Sequence, residues 1–181
     1  AIRVTTKRPP MVMDAPEIAH RIARLASARQ VKLVLIDGMS FDLGQRVSQR
    51  LATVLDKRAV LVEKSTLWAA LPTTTTTQLH LLAKGTNGFA DIPHGPESEL
   101  PRGRRAGSFR RERLGGRELL RLDIVESRLR QASGSYEACL DGLADEICEA
   151  LLKLFDAVPP RTLVYLFGDH GFSIAGQKRH S

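Results

Sequence analysis

Cysteine is scarce in this chain: only Cys139 and Cys148 stand among 181 residues. Both fall in one predicted helix, where nine residues rise about 13 Å, past the reach of a disulfide. They read as free thiols filling small core positions in a reducing compartment, not as metal ligands. Long apolar runs are missing too. A run such as Val31 to Ile36, interrupted by Lys32, falls far short of the ~20 residues that a membrane span requires, so no contact with a membrane is expected. No positively charged opening leads into an apolar stretch and a cleavage site. The expectation is a cytoplasmic protein, and the opening at Ala1 without methionine fits an excised domain or a processed chain.

What is present is an ordinary globular balance, with 43% hydrophobic and 26% charged residues. That excludes disorder, collagen and coiled coil, and the length suits a single domain over residues 1–181. The net charge of +7 is concentrated. Between Pro101 and Arg121 eight arginines face only Glu112 and Glu118, a local charge of +6, so the rest of the chain is nearly neutral. Aromatics are few, and only Phe109 interrupts these arginines, which lack the spacing of a single-strand binder. Residues from about 87 to 117 show no periodic pattern and read as a basic surface excursion. The Arg102 to Arg121 stretch is either a solvated charge run or a device that steers a phosphorylated ligand or nucleic acid.

Asp14-Ala15-Pro16-Glu17 predicts a helix start running to about Ala28, with Ile18, Ile22 and Leu25 inward. Val31 to Ile36 reads as a buried strand and Leu43 to Leu55 as an amphipathic helix. Ala59 to Val62 reads as a second strand, followed by a helix beginning within Thr73 to Thr77 and stopping at Gly85. Glu118 to Val125 and Thr162 to Phe167 read as strands around a long helix over Tyr136 to Phe155. Trp68 and Phe41 are expected in the core. The alternation predicts an α/β fold, a three-layer sandwich with a mostly parallel sheet and helices on both faces.

In such sheets functional groups collect where the strands end. Three predicted strands end in Asp37, Asp123 and the pair Asp169-His170. Carboxylates and an imidazole meeting at one edge repel or compete unless a cation joins them, so the set reads as metal ligands. A threonine at a helix start adds a hydroxyl where the helix dipole favours an anion such as phosphate. His80, five residues past Thr75, projects about 140° around that helix and reads as a surface or supporting residue.

These motifs resemble those of the alkaline phosphatase superfamily, in particular its phosphodiesterase, phosphoglycerate mutase and PglZ-domain branches. Leu33 to Gly38 is similar to the family's first strand, whose terminal Asp binds metal. Leu71-Pro72-Thr73-Thr74-Thr75 is similar to its nucleophile turn, and the ten-residue count to Gly85 makes Thr75 the matching threonine. Phe167 to Phe172 resembles its Asp-His-Gly signature. The resemblance implies an alkaline phosphatase-like core and a metal site built from Asp37, Thr75, Asp169 and His170, with Thr75 as nucleophile. It also implies a second site at Asp123, where Ser127 stands in place of the family's histidine. Glu126 and His180 are the substitutes available there.

The activity implied is that of a metal-dependent phosphoesterase or phosphotransferase with one or two ions, zinc or manganese, acting on a phosphate ester. The short interval from the signature to His180 favours the PglZ branch, a group associated with bacterial phage defence. Other domains or subunits of a larger complex are expected partners. The competing expectation is a catalytically degenerate scaffold that docks nucleic acid or a partner through its arginines.

Overall fold

The computed structural model describes residues 8–55, 59–93, 108–132 and 135–171. Among them the chain forms a four-stranded, mixed and mostly parallel sheet with five α-helices. The central strand is β1 (Gln30–Ile36). It pairs in parallel with β3 (Arg117–Leu122) on one side and β4 (Thr162–Gly168) on the other, and β2 (Phe109–Leu114) lies antiparallel outside β3. The helices are α1 (Ala15–Leu25), α2 (Phe41–Val54), α3 (Thr75–Lys84), α4 (Val125–Gln131) and α5 (Tyr136–Ala157). No helix among the described residues is long and apolar enough to cross a membrane.

Successive residues of a strand face opposite sides, and β1 uses both. Val34 and Ile36 pack with Leu43 and Val47 of α2, Val125 of α4 and Leu140, Leu143, Ile147 and Leu151 of α5. Leu33 and Leu35 pack with Ala15 and Ala19 of α1 and Leu82 of α3. A strand buried on both faces must be apolar almost throughout, which is why Leu33-Val34-Leu35-Ile36 carries no alternation. Burial of each such side chain contributes about 1.5–3 kcal/mol.

Several expectations are corrected. Residues 59–62 form no strand, and Val60, Leu61 and Val62 stand exposed; a short β-branched run pairs only if a neighbouring strand offers free backbone groups. The excursion is not wholly irregular. Phe109–Leu114 is a strand, because Gly115-Gly116, with φ of 54° and 82°, closes a two-residue hairpin onto β3. The sheet residue Arg117 begins β3, and the chain after Leu122 turns into α4 rather than extending to Val125.

Trp68 and Phe41 are exposed, not core. Trp68 is held through its backbone, which bonds Pro10 and Val12, while Phe41 opens α2 on its outward side. Helix α1 ends at Leu25, whose side chain is exposed. Its buried face is Ala15, Ala19, Ile22 and Ala23. Cys139 and Cys148 are free thiols, the second buried.

Candidate functional site

The sheet register decides where the site forms. Ile36 is level with Leu122 in β3 and with Gly168 in β4. The next residue of each strand, Asp37, Asp123 and Asp169, therefore leaves the sheet at the same height and on the same edge. Two glycines make this edge tight. Gly38 takes φ of 72°, a left-handed turn, and a Cβ at Gly168 would lie 2.4 Å from the Met39 carbonyl oxygen.

The fourth group arrives from α3. Thr74 caps that helix, its hydroxyl accepting the Thr77 N–H, so Thr75 is the first helical residue. Upstream, the buried Gln78 side chain accepts from the Ala70 N–H at 3.0 Å and donates to the Ala70 carbonyl at 2.9 Å. Gln78 thus fastens the helix to the segment that delivers it. The sequence carries no local signal for this role, which only the tertiary contact reveals.

At the meeting point, Thr75 Oγ1 donates to Asp37 Oδ1 at 2.9 Å and lies 2.8 Å from His170 Nε2. His170 Nε2 is 3.5 Å from Asp37 Oδ1 and 3.6 Å from Asp169 Oδ2. These spacings match the edge, about 3.4 Å, of a tetrahedron drawn by ~2.1 Å metal–ligand bonds. Asp37, Asp169 and His170 could therefore hold a metal ion.

Two further details fit that role. Asp169 Oδ1 accepts the backbone N–H groups of Gly38 at 2.8 Å and His170 at 3.0 Å, while Oδ2 is buried without a hydrogen-bond donor. A buried carboxylate oxygen left bare is costly unless a cation meets it. His170 Nδ1 lies 3.1 Å from the Gly171 carbonyl, which can only accept. That bond places the proton on Nδ1 and, in the neutral ring, leaves the Nε2 lone pair for a ligand role.

The electrostatics follow the geometry. Burial pushes the Asp169 carboxyl up to about 6, helped by the charge of Asp37 and opposed by His170. Burial works against protonation of His170, but its hydrogen bond to Asp37 and the charge of Asp169 prevail and raise it to about 9. Burial would raise Asp37 as well, yet His170 and the Arg121 guanidinium hold it well below the usual carboxylate range. The uncharged threonine hydroxyl sits between groups that favour opposite charges.

Asp123, the remaining acidic candidate, is not among these three ligand groups but lies beside Asp37. Its Oδ1 is 2.6 Å from Arg121 Nε and its Oδ2 is 3.4 Å from Arg110 Nη2. Burial is the main cause that raises its carboxyl, helped by the neighbouring Asp37 and opposed by Arg121 and Arg110. Ser127 donates to the Ile124 carbonyl at 2.9 Å, and Glu126 pairs with Arg130 on the surface of α4. His180 lies outside the described residues. His80 bonds the Gly88 carbonyl and Asp91, away from the site.

Arg121 and Arg110 were hidden inside the basic segment, of which residues 101–107 lie outside the described residues. They are not solvated charges: Arg121 bonds Asp37 Oδ2 through Nε at 3.0 Å and through Nη2, and Arg110 pairs with Glu112. The signal that finds them is Gly115-Gly116. A two-residue hairpin there aligns Arg110 with Arg121 and brings both to the edge where Asp123 follows β3. Comparison with family models, with curated proteins and with solved structures finds no match for this chain.

Proposed function

We propose that this chain is a metal-dependent phosphoesterase or phosphotransferase with Thr75 as its nucleophile, built on an alkaline phosphatase-like, three-layer core. The observation that carries the reading is the meeting of Thr75 Oγ1, at the start of α3, with Asp37 and His170 at 2.9 and 2.8 Å. Residues so distant in sequence converge on one hydroxyl only if the fold is arranged to bring them there.

Asp37, Asp169 and His170 would hold zinc or manganese. Such an ion supplies Lewis-acid stabilisation of an alkoxide and of phosphoryl oxygens. Asp37 Oδ1 accepts the Thr75 hydroxyl and orients it, and the proton goes to solvent, since Asp37, held well below the usual carboxylate range, is too weak a base to keep it. Thr75 Oγ1 then bonds phosphorus, the bond from phosphorus to the leaving oxygen breaks, and that oxygen takes a proton from water. The positive end of the α3 dipole favours the phosphoryl group throughout. In the second step a water oxygen bonds phosphorus, the bond to Oγ1 breaks, and Thr75 regains a proton while phosphate or its monoester departs. The short interval from the Asp-His-Gly motif to His180 supports a PglZ-domain-like assignment, and with it a role in phage defence, as part of the same proposal.

The test is hydrolysis of bis-p-nitrophenyl phosphate and p-nitrophenyl phosphate with added Mn²⁺ or Zn²⁺. Thr75→Ala loses about 10³-fold or more in kcat, and mass spectrometry of quenched wild type finds phosphate on the peptide containing Thr75. Metal-stimulated hydrolysis that survives in Thr75→Ala rejects the mechanism. Salt-sensitive DNA binding without any bound metal would instead favour the scaffold role.

A further inference from the structure

The Asp37 carboxylate faces two ways. Oδ1 looks toward Thr75 and His170, whereas Oδ2 is engaged by the Nε and Nη2 groups of Arg121. The same guanidinium lies 2.6 Å from Asp123 Oδ1 and 3.4 Å from Glu112 Oε1, with its side chain only 12% exposed. Asp37 thus bridges two cation positions, one formed by the Asp169 and His170 ligand atoms, the other filled by an arginine.

We propose that Arg121 is the second cation of this site, so that the chain takes one divalent ion and not two. The inference rests on the metal reading above and specifies how many ions that reading allows. Charge supports it. Four carboxylates, Asp37, Asp123, Asp169 and Glu112, meet two guanidinium groups, Arg110 and Arg121, leaving two negative charges, which one divalent ion neutralises.

The arrangement is built into the sheet. Arg110 and Arg121 are directly opposed across β2 and β3, a repulsive placement for like charges. It is tolerated because Glu112 and Asp123, two residues further along each chain, share the face and interleave with them. A guanidinium stays charged at every pH the fold tolerates. An ion entering between Asp37 and Asp123 would have to displace it. Nor does α4 offer an imidazole there: Ser127, four residues after Asp123, spends its hydroxyl on the Ile124 carbonyl. Arg121 acts through Asp37, fixing which oxygen remains for the ion and for Thr75, and is in that sense a positioning residue.

The experiment counts ions per chain by calorimetric titration with Mn²⁺ and Zn²⁺ and by elemental analysis after dialysis. Wild type is expected to hold one, and Arg121→Met two, because Asp37 then has no guanidinium and Asp123 and Glu112 keep only Arg110. Arg121→Lys is expected to stay at one. Asp123→Asn, a milder change that keeps Arg121 on Asp37, is also expected to hold one ion. Two ions in wild type overturn the proposal while leaving the metal reading intact, as does a folded Arg121→Met variant that stays at one. No ion in wild type overturns both. If Arg121→Met does not fold, the counts for wild type and Asp123→Asn decide alone: one ion in each supports the proposal, and a second ion in wild type that Asp123→Asn loses overturns it.

Discussion

Asp169→Asn offers a sharp test of the site, because its effect on stability should run against intuition. Asp169 is 1% exposed. Its Oδ1 holds two backbone N–H groups that an asparagine oxygen can hold equally well, and its Oδ2 has no donor. Burial and the charge of Asp37 move the carboxyl from an ordinary value near 3.8 up to about 6. A shift of that size means that ionisation in the folded state costs about 3 kcal/mol more than in the unfolded chain. The sign follows. A raised carboxyl contributes stability that is complete below about pH 4 and is lost as pH climbs through 6. In a chelating buffer at pH 8, Asp169→Asn should therefore unfold at a higher temperature than wild type, by about 6–12 °C for a chain of this size. At pH 4 the two should coincide. Added Mn²⁺ should reverse the order, because only wild type keeps the carboxylate that binds it. Scanning calorimetry with and without metal reads all three conditions. A variant less stable than wild type at pH 8 without metal would falsify the account of Asp169 as a ligand held at a cost to the fold.

Two further outcomes are expected. His170, raised to about 9, must shed its proton from Nε2 before that nitrogen can bind an ion, so affinity for Mn²⁺ should climb about tenfold per pH unit on approach to pH 9. Titration calorimetry in buffers of different ionisation enthalpy reads both the slope and the released proton, and a flat profile contradicts the ligand assignment. Gln78→Leu leaves the buried Ala70 N–H and carbonyl unpaired, at about 1–3 kcal/mol each. Its denaturant midpoint should fall and its kcat with it, whereas metal affinity should hold, because Gln78 touches none of the three ligands; the opposite pattern would place Gln78 in the metal site.

Much of the architecture could be read directly from residue order. The apolar run of β1, the heptad-like face of α5 and the capped start of α3 are local signals, written within a dozen residues and decided by periodicity and capping. Asp37, Asp123, Asp169 and His170 were legible for the same reason, standing just past the ends of strands, whereas Thr75 was singled out within its threonine run by the family resemblance. Elements that depend on a distant partner were not. Val60 to Val62 looks like a strand but has no pairing edge, and Phe109 to Leu114 looks like a charge run yet pairs along its whole length with β3.

The sequence by itself determined which chemistry-bearing groups sit at the ends of which elements, because that is a matter of local backbone preference. Only the tertiary structure decided that β1, β3 and β4 end at one level, that Thr75 falls between Asp37 and His170, and that Arg121 rather than solvent meets Asp37 Oδ2. Those contacts span from 38 to 95 residues of chain. They depend on sheet register and on opposite charges finding one another once water is excluded, and neither is encoded within any short window of residues.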